Sequence, residues 1–233
     1  MVNRLPEYAI CLGMECGFEA EYLSESEAVL LRSLHESRKV DWIVGRVAAK
    51  RAVRAYLLGR YAIDVPFSAI GIISRPLRKP TVVIRGRSGG DPSFWQRAGV
   101  EMDLSLSHSD GVAVAAASFI AETGLIGVDL ERSRAFSRDF LEEFLTPVEL
   151  LMLDGYPESD RGLVSTILWC AKESYLKAIG SGLCRHPKTV DVTLELDRKS
   201  GMIGELSSGP PEAEFFWELL PNGCVFVILT LPI

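Results

Sequence analysis

The sequence predicts an α+β protein built of two similar halves, each with helices packed on a small, mostly antiparallel sheet. Three observations lead there. Stretches with apolar residues at three- to four-residue spacing alternate with short, strand-like apolar runs. Each half places helices ahead of several short strands, the element order of α+β architecture. The chain has 233 residues, 48% hydrophobic and 24% charged, enough for one large domain or two small ones. The halves are expected at 1–120 and 121–233, joined at the turn-like Ala121-Glu122-Thr123-Gly124. No clear sequence repeat accompanies them.

Residues 8–12 read as a short strand, and Ser24-x-x-Glu27 opens a helix with a capping-box pattern. A stronger helix is expected from Asp41 to Leu58, with Trp42, Gly45, Ala49, Ala52, Val53, Tyr56 and Leu57 on its packing face. Short strands follow at 69–73, 81–84 and 102–106, with Arg85 to Pro92 a loop. Val112–Ser118 and Leu125–Leu130 are buried strands. Helices are expected at 137–145, at 147–153 behind Thr146-Pro147-x-Glu149, and at 160–179, ending at Gly180-Ser181-Gly182. The remainder reads as β: Val190–Leu196, a turn at Asp197–Gly201, then strands at 214–219 and 224–230.

Composition excludes several classes of function. The N-terminus lacks the charged-then-apolar pattern of a signal peptide. The longest apolar stretch, Gly111 to Ala121, falls well short of the roughly 20 residues that span a bilayer. A cytoplasmic protein without membrane contact is expected. Five cysteines without a C-x-x-C pair suggest neither a disulfide framework nor zinc, and three histidines argue against a His-rich metal centre. Any metal should be hard and held by carboxylates. The net charge of −6 speaks against nucleic-acid binding.

Three constellations carry chemistry. In Gly127-Val128-Asp129-Leu130-Glu131, strand alternation puts Asp129 and Glu131 on one face, where two carboxylates repel unless a cation lies between them. The same pentapeptide also reads as a solvated strand end leading into Arg132 and Arg134. In the helix around Trp169-Cys170-Ala171-Lys172-Glu173-Ser174-Tyr175-Leu176-Lys177, four-residue spacing stacks Trp169, Glu173 and Lys177 on one face, with Lys172 beside them. An ordinary Glu–Lys surface pair is the alternative; a third carboxylate, suited to Mg²⁺ with bound phosphate, is what recommends the functional reading. The third is Leu104-Ser105-Leu106-Ser107-His108-Ser109-Asp110-Gly111, between two apolar strands, read as a Ser-His pair at a strand end or as a turn with a capping Ser and an incidental His. There Ser107 and His108 can donate to a phosphate oxygen and glycine lets the backbone approach. A Ser-His-Asp hydrolase is not supported, because Ser107 and His108 are neighbours and no G-x-S-x-G elbow exists.

The order S-x-S-H-S-x-G, G-V-D-L-E and W-x-x-K-E-S-x-x-K-A-x-G-x-G-L resembles the Sfp-type 4′-phosphopantetheinyl transferases of the holo-[acyl-carrier-protein] synthase superfamily. Upstream, Ser37-Arg38-Lys39 and Gly45-Arg46-Val47-Ala48-Ala49-Lys50 resemble the basic segment and G-R-x-A-A helix of siderophore-associated members. Arg78-Lys79-Pro80 is similar to the family's G-K-P element, with Arg78 where glycine is usual, so Arg75 or Arg78 is an alternative to Lys79. The likeness covers roughly residues 37–183.

The resemblance implies a pseudo-duplicated fold and transfer of phosphopantetheine from coenzyme A to a serine of an apo acyl or peptidyl carrier protein, releasing 3′,5′-ADP. It implies Mg²⁺, with Mn²⁺ as substitute, on Asp129, Glu131 and Glu173. Lys177 and His108 are the implied phosphate donors, with Lys172 and Ser107 assisting. Arg38, Lys39, Arg46 and Lys79 form the implied pocket for the 3′-phosphate and pyrophosphate. Glu173 or a metal-bound water is the general base. A monomer is implied, because two halves in one chain supply one site. The alternatives are a non-catalytic homologue that binds coenzyme A or a carrier protein, and an unrelated Mg²⁺-dependent phosphohydrolase, which lacks its usual motifs here.

Overall fold

A computed structural model describes residues 6–13, 21–75, 78–85, 101–194, 203–206 and 213–232. The expected loop beyond Arg85 and the turn at 197–201 lie outside them. Short helix α1 (Glu25–Ser33) begins with the expected capping box, Ser24 and Glu27 satisfying each other's backbone N–H. Helix α2 (Glu36–Tyr61) is the scaffold of the first half. Its apolar face, including Val44, Val47, Ala48, Ala52 and Val53, is buried. It starts five residues earlier than the expected Asp41, because the His35 ring accepts the Ser37 N–H as N-cap. Arg38 and Lys39 are therefore helical rather than part of a preceding polar segment. The helix ends on Ala62 in the left-handed region, φ 55°.

Helix α2 packs on a three-stranded antiparallel sheet in the order β1-β5-β4 (Glu7–Leu12, Val112–Phe119, Met102–Ser109). A hairpin of β2 (Ile70–Ile73) and β3 (Thr81–Ile84) lies alongside. Strand β4 runs three residues further than expected, so Ser107, His108 and Ser109 are strand residues. The turn falls at Asp110-Gly111, both with positive φ (52° and 74°). Short helix α3 (Ile120–Thr123) connects β5 to β6 (Leu125–Arg132).

The second half contains α4 (Arg138–Phe144), α5 (Pro147–Asp154), α6 (Glu158–Ala178) and a sheet in the order β6-β10-β9-β8-β7. Its other strands are β7 (Val192–Thr193), β8 (Ile203–Leu206), β9 (Glu214–Leu219) and β10 (Cys224–Leu231). Of the expected strand Val190–Leu196, residues 192–193 form β7 and residues 195–196 lie outside the described residues; β8 was not expected. The mixture of helices with antiparallel sheets bears out the α+β class.

Three apolar clusters hold this together. One lies between α2 and its sheet, one between α6 and the second sheet, and one between the sheets. The last joins Val112, Val114 and Ala116 of β5 to Ile126, Val128 and Leu130 of β6 and to Phe226 and Ile228 of β10. Alternate residues of β6 therefore face this shared core, leaving Gly127, Asp129 and Glu131 toward α6. At Gly127 the helix backbone comes so close that an added Cβ would lie 1.6 Å from Ser174 O.

Candidate active site

Strand β6 is the edge of one sheet and β4 the edge of the other. The two run side by side with no backbone ladder between them. Cross-strand register places Asp103, Ser105 and Ser107 opposite Ser118, Ala116 and Val114, on the face turned to the second half. The Asp103 carboxylate accepts the Ile126 N–H (2.7 Å) and the Ser105 hydroxyl accepts the Val128 N–H (2.9 Å). The matching carbonyls are also satisfied, Ile126 O by the Lys79 ammonium (2.9 Å) and Val128 O by that of Lys177 (3.1 Å). Both polar groups of Ile126 and of Val128 are thus paired by side chains.

This junction leads to Asp129, 4% exposed. Its Oδ1 accepts the Lys177 ammonium (2.6 Å) and the Ser107 hydroxyl (2.9 Å), and Lys177 also donates to Ser107 Oγ (3.1 Å). Glu173, 6% exposed, sits one helical turn before Lys177. Burial, reinforced by the Asp129 charge, pushes its carboxyl up to about 7. Glu131, half-buried beside Asp129, is raised for the same two reasons. Asp129, Glu173 and Lys177 are thus brought together as the sequence implied, with Ser107 joining them and Glu131 at the rim.

The donor set suits a hard divalent cation. It is all oxygen, and among the described residues Asp129 Oδ2 and Glu173 Oε1 are buried without a nitrogen or oxygen hydrogen-bond partner. In this conformation the compensating cation is the Lys177 ammonium. Among the described residues, no three His, Cys, Asp or Glu side chains stand close enough to hold a metal as they are. Cys170, fully buried one turn before Glu173, has its thiol raised by burial and by Asp129. Sequence reasoning missed it, along with Asp103 and Ser105. The alternation D-x-S-x-S in an apolar strand was the available signal for the last two.

The remaining candidates divide between a second pocket and structural roles. Because β4 is a strand through Ser109, Ser107 and His108 point to opposite faces, so they are not a joint donor pair. His108 faces α2, its Nδ1 3.9 Å from Asp41 Oδ2. There, Asp41, Trp42, Gly45, Arg46, Ser74, Leu106 and His108 line a cavity of about 100 Å³. Arg46 lies over the Trp42 ring (4.9 Å) and donates to Ser74 (3.2 Å), while its Nε is buried without a partner among the described residues. Arg38 is exposed and Lys39 pairs with Glu36 (2.5 Å). Eight residues of continuous helix separate Arg38 from Arg46 by about 12 Å along the axis, so one phosphate group does not meet both.

Two lysines are engaged by protein groups. Lys172 is fully buried, held by Glu149 (2.7 Å), Val190 O (2.6 Å) and Pro187 O (3.3 Å). It anchors the chain ahead of β7, its ammonium engaged by Glu149 and two carbonyls. Lys79 binds Asp103, Ile126 O and Ala178 O (3.3 Å). Its ammonium thus links β4, β6 and the end of α6, while Arg75 and Arg78 are exposed.

Residues 125–222, which contain Asp129, Glu131, Glu173 and Lys177, match the family model of the 4′-phosphopantetheinyl transferase superfamily. Over 84 residues the chain is 34% identical to 4′-phosphopantetheinyl transferase HetI of Nostoc sp., covering 35% of this chain and 34% of that protein. It is 31% identical over 83 residues to 4′-phosphopantetheinyl transferase gsp of Aneurinibacillus migulanus, covering 36% and 33%. It is 35% identical over 81 residues to a holo-[acyl-carrier-protein] synthase of Geobacillus kaustophilus, covering 34% and 63%. The alignments span about a third of the first two relatives and under two thirds of the third. They bear out the resemblance drawn from the motifs, over that segment.

Proposed function

We propose that this chain transfers the 4′-phosphopantetheine arm of coenzyme A to a serine hydroxyl of an apo acyl or peptidyl carrier protein. The observation that carries the reading is the Asp129–Glu173–Lys177 cluster, buried at the junction of the halves and lying within the segment similar to phosphopantetheinyl transferases. Serine Oγ forms a bond to the phosphorus that bears pantetheine, and the bond from that phosphorus to 3′,5′-ADP breaks. Glu173, buried beside Asp129, is assigned the role of accepting the serine proton. Lys177 supplies a fixed positive charge where negative charge grows on the phosphoryl oxygens, held in place by Asp129 and Val128 O. A Mg²⁺ ion, with Mn²⁺ as substitute, would be held by Asp129, Glu173 and Glu131 and would neutralise the pyrophosphate.

The cavity by α2 is read as a contact for the phosphate-bearing nucleotide end of coenzyme A, with Arg46 and His108 as its polar groups. Arg38 and Lys39 extend that basic surface along the helix. The reading includes a cytoplasmic monomer, and no nucleic acid or membrane as partner. No described helix is long and apolar enough to cross a membrane.

The test mixes protein, coenzyme A, Mg²⁺ and apo carrier protein and weighs the carrier. The carrier gains the mass of phosphopantetheine; EDTA stops the gain, and Asp129→Ala or Glu173→Ala abolishes it. A carrier left unmodified across fatty-acid, polyketide and peptide-synthetase types, or full activity in either variant, overturns the reading. Coenzyme A binding without transfer would instead identify a non-catalytic binder.

A further inference from the structure

The geometry points to Ser105 and Asp103, residues of the first half, as positioning residues that set the Asp129 carboxylate of the second half for cation binding. This rests on the reading of Asp129 as a cation ligand. A free sheet edge exposes backbone N–H and C=O groups in alternation, and a buried one must satisfy them. The free edge of β6 does so without a backbone ladder to β4. Asp103 takes the Ile126 N–H, Ser105 takes the Val128 N–H, and Lys79 and Lys177 serve the two carbonyls.

The matching two-residue steps, 103 to 105 on β4 and 126 to 128 on β6, hold the strands in one parallel register. The third step, Ser107, reaches the Asp129 carboxylate itself at 2.9 Å. Sliding or lifting β6 therefore breaks the bonds at Ile126 and Val128 and moves Asp129 relative to Ser107 and Lys177 together. Ser105, 3% exposed, grips the residue next to Asp129 through the Val128 N–H and, among the described residues, makes no hydrogen bond to Glu173 or Lys177. Its effect on the site runs through the backbone of Val128.

Partners that orient a metal ligand commonly govern affinity by ten- to hundredfold. Mn²⁺ binding to the full-length protein without coenzyme A, read by electron paramagnetic resonance, is compared for wild type, Ser105→Ala and Ser105→Thr. Ser105→Ala is expected to bind Mn²⁺ about tenfold more weakly. Ser105→Thr, which keeps the hydroxyl, restores most of the affinity. Asp103→Asn keeps an oxygen for the Ile126 N–H but loses the charge that holds Lys79. It shifts binding in the same direction by less, and it carries the test if Ser105→Ala does not fold. Folded variants that bind Mn²⁺ as wild type does overturn the positioning role while leaving the cation site standing. A wild type that binds no Mn²⁺ overturns both readings.

Discussion

Gly127→Ala tests the contact on which the carboxylate–lysine cluster depends. The added Cβ would lie 1.6 Å from Ser174 O, 2.5 Å from Ser174 C and 3.0 Å from Ala178 N, all helix backbone with no side chain free to swing aside. Bringing the nearest contact out to 3.0 Å requires α6 to retreat from β6 by roughly 1.4 Å. Overpacking of this kind costs about 1–3 kcal/mol, offset in part by about 0.4–1 kcal/mol from the stiffer unfolded chain. The larger consequence is geometric. Glu173 and Lys177 ride on the displaced helix while Asp129 stays with the strand, so the 2.6 Å Lys177–Asp129 contact lengthens. A misplacement of about 1 Å in a catalytic group commonly costs about 100-fold in rate. Urea unfolding is expected to show a folded protein weakened by up to about 3 kcal/mol. The rate of carrier modification, followed by mass, falls about 100-fold. Wild-type stability and rate together would refute the argument, because they would show that helix and strand separate there without effect.

Lys172→Ala leaves Glu149 buried without its counter-charge and is expected to cost about 3–5 kcal/mol in urea unfolding. The double variant Lys172→Met/Glu149→Gln removes both charges and keeps one amide oxygen, enough for one of the Thr146 and Val192 N–H groups, so it recovers part of this. A Lys172→Ala protein of unchanged stability that no longer binds coenzyme A would return Lys172 to phosphate binding. The third prediction concerns pH. Glu173 is raised in the folded protein to about 7 from an ordinary 4.5, so between those values the native state holds a proton that the unfolded chain releases. Metal-free protein should therefore be most stable below about pH 4.5 with respect to this group and lose that increment as pH rises through 7. Melting curves in EDTA from pH 5 to 8 should show the decline, and Glu173→Gln should flatten it; an identical slope in the variant contradicts the assignment.

Much of this was legible in the chain because local rules governed it. The capping boxes at Ser24 and Thr146 appear as read, since each is a contact between residues three apart. The G-V-D-L-E and W-x-x-K-E-S-x-x-K segments form a strand and a helix with Asp129, Glu173 and Lys177 on facing sides, since periods of 2 and 3.6 dictate sides. The early start of α2 was hidden because its N-cap is a histidine, outside the usual Ser, Thr, Asp and Asn signal. The strand length of β4 was hidden because S-H-S-D-G carries turn residues whose actual turn is its last two.

The sequence by itself determined the α+β class, the helix and strand that carry the carboxylates, and the residue types a phosphoryl-transfer site needs. Only the tertiary structure decided which lysine does what. Lys79, Lys172 and Lys177 carry the same charge, and spacing along the chain cannot say which carbonyls and carboxylates will surround each ammonium. Lys172 closes on Glu149, Lys79 on Asp103, and Lys177 alone of the three reaches Asp129, because α6 lies against β6 at Gly127 and the free edge of β6 lies against β4. The Lys79 ammonium also reaches Ala178 O, 99 positions away. Such contacts are fixed by the requirement that buried backbone groups be hydrogen-bonded, which no local pattern records.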